Sequence, residues 1–191
     1  MRYPPDRKQK TRAEIVSVAG AVFRVKGFDG IGVDGLAAEA GLTSGALYKH
    51  FATKRMVFRE VVRVGLDRLR AGIERFQHQS PRDWLNQMAH WYLGPAHRAD
   101  VGGGCALPSL TPEVVKSDLE TRAAYQRGLL QALDALMAQP PFRDAPEGRR
   151  HAWATLALLA GGVGLARAVP DPVIADEIAA AVRAAVETAA Q

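Results

Sequence analysis

The sequence predicts an all-α protein, with a small helical domain over residues 1–54 and a larger helical domain over 55–191. Three observations carry that expectation. Apolar residues recur at the helical period along most of the chain, no stretch sustains a strand pattern, and Gly and Pro punctuate the breaks. The 191 residues, 48% hydrophobic and 24% charged, have an ordinary globular balance.

Nine helices are expected. Ile15, Val18, Ala19, Val22 and Phe23 lie on one stripe of a first helix from about Arg12 to Lys26, which Gly27 stops. A short segment, Val33 to Ala40, carries Leu36 and Ala37 and breaks at Gly41. Thr43 or Ser44 can accept a backbone N–H bond and cap the next helix, which reaches about Phe51. A longer helix, about Arg55 to Gln79, aligns Phe58, Val61, Val62, Leu66, Leu69, Ile73 and Phe76. Ser80-Pro81 starts another that ends near Leu93.

After the Gly102-Gly103-Gly104-Cys105 break, Thr111-Pro112-Glu113 begins a short helix. Ser117-Asp118-Leu119-Glu120 reads as a capping box for a long one to about Gln139. Two apolar helices, about Glu147–Ala168 and Pro172–Ala190, close the chain.

Charge divides the chain unevenly. Residues 1–63 hold 12 Lys and Arg against 6 Asp and Glu, whereas residues 64–191 hold 13 against 14. The excess positive charge therefore sits in the first third, as expected of a nucleic-acid-facing module joined to a neutral one. The longest nearly apolar run, Ala152–Ala166, has 15 residues, too few to span a bilayer. The polar, basic start carries no secretory pattern, so a cytoplasmic protein without membrane attachment is expected. One cysteine excludes an internal disulfide framework. The five histidines show no metal-ligand spacing and no serine elbow is present, so neither an enzyme nor a bound metal or cofactor is expected.

The segment from Val33 to Tyr48 has helix-turn-helix logic. Ala37 is small enough for two helices to cross, Gly41 relaxes the turn, and Leu36, Leu42 and Leu47 bury the junction. The exposed residues of the second helix are then small, polar or basic, as a helix in the major groove requires. The pattern Gly27-Phe28, Leu36-Ala37, Ala40-Gly41-Leu42, Leu47-Tyr48-Lys49-His50-Phe51 and Lys54 resembles the DNA-binding domain of the TetR family of transcriptional regulators. Gly32 departs from it, standing where the family usually has a Thr to cap the helix.

That resemblance implies a homodimeric, ligand-responsive repressor of a palindromic operator. Thr43, Tyr48, His50 and Lys54 are expected on phosphates, and Ser44, Ala46 and Lys49 at base edges, with Gly45 permitting close approach. Arg2, Arg7, Lys8, Lys10 and Arg12 are expected to form a basic arm that tracks the DNA. The resemblance also implies a C-terminal domain that dimerises and binds a small effector. Leu158, Gly161, Gly162, Ile174, Ile178 and Val182 are the expected dimer residues.

The aromatic and sulfur residues Trp84, Met88, Trp91, Tyr92, Cys105, Tyr125 and Trp153 are expected around the ligand. No arginine cluster stands out, so an apolar or aromatic effector is expected, released-state stabilisation being its mode of action. The competing expectation is a DNA-binding or architectural protein without an effector, which a cavity of several hundred Å³ would argue against.

Overall fold

A computed structural model describes residues 5–189 and shows ten helices and no strand among them. They are α1 (Pro5–Lys26), α2 (Val33–Glu39), α3 (Ser44–Tyr48), α4 (Lys54–Gln79), α5 (Trp84–Tyr92), α6 (Pro95–Ala99), α7 (Ala106–Val115), α8 (Leu119–Met137), α9 (Gly148–Ala168) and α10 (Pro172–Ala189).

The first three helices and the start of α4 close over one apolar centre. Ile15, Ala19 and Phe23 from α1 meet Leu36, Ala37, Leu47, Phe51 and Phe58, each 0–1% exposed. Phe58 stands edge-on to both Phe23 and Phe28, with centroids 5.4 and 5.2 Å apart. Gly27 (φ 73°) and Gly41 (φ 67°) take the left-handed conformation that ends α1 and turns α2 into α3.

α4 has 26 residues, about 39 Å of helix at 1.5 Å per residue. It packs on α1 at its start and on α5, α7 and α8 further along, so it belongs to both halves of the molecule. It approaches α7 and α8 closely: a Cβ on Gly65 would lie 2.6 Å from Ala106 Cβ, and one on Gly128 would lie 2.7 Å from Leu66 Cβ. α9 packs along α10, where a Cβ on Gly162 would lie 2.9 Å from Val182.

Several expectations are corrected. The first helix begins at Pro5, not near Arg12, because Pro suits the first helical position and the basic residues after it are good helix formers. The expected arm is therefore the first turns of α1, with Arg2 outside the described residues. α6 is a tenth helix, too short for periodicity to reveal, opening on Pro95. α7 runs through Pro112 instead of starting beside it, since burial of Ala106, Leu107, Leu110 and Val114 holds it together. Asp118, not Ser117, caps α8 by accepting the Thr121 N–H at 2.7 Å; the Ser117 hydroxyl donates to the Glu113 carbonyl.

Candidate DNA-binding surface and effector cavity

Local sequence places the candidate recognition surface on α3. Thr43 caps it, accepting the Ala46 N–H at 3.2 Å, and fully buried Leu47 anchors it to the core. Thr43, Gly45, Tyr48 and Lys49 are then exposed on the outer side, with Ser44, Ala46 and His50 half-buried. Nothing lies within 4 Å of where a Cβ on Gly45 would be. Tyr48 is 49% exposed, whereas Phe51 beside it is buried. The Ser44 hydroxyl donates to the Asp34 carboxylate on α2, fixing the two helices to each other.

The cations around α3 divide by the bonds they make. Lys54 donates to the Ile31 carbonyl at 2.7 Å and lies 4.2 Å from the centre of the Phe28 ring. Arg12 donates to the His50 carbonyl at 2.8 Å and stacks 3.9 Å over Phe51. Both pin the edges of the three-helix unit. Lys8, Lys10 and Lys49 are exposed. Burial, then Lys8 and Arg12, lowers the pKa of His50 and favours its neutral form.

A cavity of 670 Å³ opens between α4, α5, α6 and the Gly103–Cys105 turn. Of the residues expected around a ligand, Met88, Trp91, Tyr92 and Cys105 line it. Trp84, Tyr125 and Trp153 do not. Trp84 donates its indole N–H to the Pro140 carbonyl at 2.7 Å, the Tyr125 hydroxyl is bonded to Thr111, and Trp153 packs against the core.

Three arginines also reach this cavity: Arg24 from α1, and Arg68 and Arg75 from α4. No local sequence pattern marks this cluster, because Arg24 belongs to α1 and the other two to α4. It is 8% exposed, with Nη1 donating to the Gly102 carbonyl at 3.3 Å and Nε buried without a partner.

His97 and Tyr92 also line the cavity. His97 Nδ1 is 2.6 Å from the Tyr92 carbonyl, and its Nε2 accepts the Cys105 N–H at 3.1 Å. Only the neutral Nδ1–H tautomer satisfies both bonds, and burial lowers the His97 pKa accordingly. Burial pushes the Cys105 thiol up, opposite to what a reactive thiolate requires.

A second hollow, of 720 Å³, lies among Pro81, Trp84, Pro140, Pro141 and Val186. No residue of α1 to α4 lines it.

An exposed short helix, followed directly by Lys49 and crossing α2 at a glycine turn, gives the all-helical scaffold a helix-turn-helix unit separate from the cavity. Residues 15–61 match the family described as bacterial regulatory proteins, tetR family. The HTH-type transcriptional regulator YfiR of Bacillus subtilis (strain 168) is 34% identical over 76 residues, 39% of this chain and 37% of that protein's length. The fold is similar to that of E. coli NemR in its reduced form (17% identity, 95% and 98% of the two chains, TM-score 0.79). It is also similar to a TetR-family regulator from Cytophaga hutchinsonii (21% identity, 98% and 98%, TM-score 0.73).

Residues 15–61 thus match a tetR-family domain, and the fold of the whole chain is similar to that of TetR-family regulators, while the curated relative is matched over about a third of its length. Among the described residues no helix is long and apolar enough to cross a membrane, and no three His, Cys, Asp or Glu side chains are grouped to hold a metal.

Proposed function

We propose that this regulator is a cytoplasmic, ligand-responsive repressor. It binds a palindromic operator as a homodimer through residues 1–54 and releases it when a small effector fills the 670 Å³ cavity of the 55–191 domain. The observation that carries the reading is Arg24. It stands on α1, yet its guanidinium lines the cavity, so whatever binds there touches the DNA-binding unit directly. Such a cavity disfavours an architectural protein without an effector, since a packed core leaves few voids larger than a water molecule.

Thr43, Tyr48, Lys49 and the α1 cations Lys8 and Lys10 are the proposed phosphate contacts, with Ser44 and Ala46 at base edges. The outer face of α9 and α10 is the proposed dimer seam: Leu165, Val173 and Ile174 are 62%, 71% and 42% exposed, and Gly161 is open. Leu158, Ile178 and Val182 border it, half-buried, while buried Gly162 serves the contact between α9 and α10 of one protomer.

Selection of random duplexes on the purified protein tests this reading. One palindrome is expected to be enriched, with a salt slope that flattens by about two in Lys8→Ala, Lys49→Ala. Enrichment of no sequence overturns specific operator reading.

A further inference from the structure

We propose that the effector is an amphiphilic organic acid, whose anionic head is bound by Arg24, Arg68 and Arg75 and whose apolar body lies against Leu69, Phe76, Met88 and Trp91. The inference rests on the cavity being the effector site, and it adds a charge to the apolar effector that the sequence suggested.

Arg24 provides the main observation. A guanidinium has five N–H donors, and Arg24, almost wholly buried, makes one hydrogen bond, of 3.3 Å to the Gly102 carbonyl, while its Nε makes none. Its position is built. A Cβ on Gly20 would lie 3.0 Å from Nη1, so this glycine makes room for the guanidinium, and Gly65 of α4 lies in ordinary contact with Nη2, 3.5 Å from where its Cβ would be. A buried cation with unused donors is costly unless something pairs with it.

Charge balance points the same way. None of Arg24, Arg68 and Arg75 forms an ion pair with a carboxylate within 4 Å among the described residues, although neighbouring Arg63 and Arg70 on α4 both do. Burial and then Arg68 disfavour the charge on Arg24, so the two like charges act on each other. The one acidic lining residue, Asp100, accepts the Gly103 N–H at 2.7 Å and leaves a net positive wall.

Tyr92 also lines the cavity, its buried hydroxyl set beside the Cys105 thiol and without an oxygen or nitrogen partner. Arg75 lies over the Phe76 and Trp91 rings, 5.4 and 6.0 Å from their centres, so the apolar and cationic parts of the wall adjoin.

Two dyes with one skeleton separate the head from the body. 8-Anilinonaphthalene-1-sulfonate carries an anionic group that N-phenyl-1-naphthylamine lacks, and binding of each is read by fluorescence titration of the full chain. Wild type is expected to bind the sulfonate at least tenfold more tightly. Arg24→Gln and Arg68→Gln should each remove most of that preference while leaving the neutral dye's affinity unchanged; Arg150→Gln, outside the cavity, should preserve it.

Should Arg24→Gln fail to fold, Arg68→Gln and Arg75→Gln at the exposed rim carry the test. Equal binding of both dyes, or a preference that survives the rim substitutions, overturns the acid head and leaves the cavity as a site for neutral compounds. Binding of neither dye overturns the effector-cavity reading itself.

Discussion

At the scale of single residues, the cations of the DNA-binding unit have separable duties. Lys54 and Lys49 stand five residues apart, but Lys54 holds the Ile31 carbonyl and the Phe28 ring, whereas Lys49 is exposed. Lys54→Met is expected to lower unfolding free energy by about 1–2 kcal/mol, from one charged hydrogen bond and one cation–π contact. Lys49→Met should leave stability unchanged and reduce the salt slope of operator binding by about one. Urea unfolding and salt titrations of both variants check the assignment.

His97 adds a pH dependence. Its pKa is lowered by burial from the ordinary 6.5, so the unfolded chain takes up the proton first as pH falls. The stability that neutral His97 supplies is complete above 6.5 and is lost as pH falls through the folded value. His97→Gln should flatten the pH profile of the urea midpoint between pH 5 and 7; the slope that remains belongs to His50, lowered in the same direction. An unchanged profile would sink the tautomer assignment.

At the scale of helices, the glycines separate into those that let elements touch and those that face outward. Gly128 sits where α8 meets α4, and a Cβ there would strike Leu66 at the root of its side chain. Gly161 on α9 meets nothing within 4 Å. Gly128→Ala is therefore expected to destabilise by about 1–3 kcal/mol through overpacking. Gly161→Ala should stabilise the protomer by about 0.5–1 kcal/mol, since Ala loses less freedom on entering a helix. Thermal unfolding of the two variants should shift in opposite directions.

The same contrast explains how much of the fold could be read beforehand. Helices with a continuous apolar stripe, such as α4 and α9, were visible because the stripe is local. α6 has only five residues, and α7 contains a proline whose cost is met by packing partners distant in sequence, so neither had a local signature. The capping position on α8 was misread by one residue, because Ser117 and Asp118 are both able to cap and only the bond to Glu113 decides between them.

At the scale of the whole molecule, the recognition helix was legible because its small, buried and exposed positions follow fixed short spacings. The cavity was half legible. Met88, Trp91 and Tyr92 fall on one helix, but an aromatic at helical spacing looks the same whether it lines a pocket or, like Trp84, fills the core. Arg24 reaches Gly102 across 78 positions of sequence, a distance no local pattern encodes. The proposed dimer seam has the same character: what marks Leu165, Val173 and Ile174 is that the fold leaves them uncovered.

Such a patch has a specific consequence under the proposed reading of a two-fold operator. Joining two protomers makes the second half-site contact intramolecular, at an effective concentration set by a rigid span of about 34–36 Å between recognition helices. Leu165→Asp with Ile174→Asp changes only exposed positions of the protomer, so its unfolding transition should stay within about 0.5 kcal/mol of wild type. Two buried carboxylates per protomer would nonetheless forbid the seam. Sedimentation equilibrium should show a monomer, and affinity for the full palindrome should fall at least about 100-fold while affinity for an isolated half-site is retained. A variant that remains dimeric would move the seam to another face, and a monomer that still binds the palindrome at full strength would show that the second recognition helix contributes nothing.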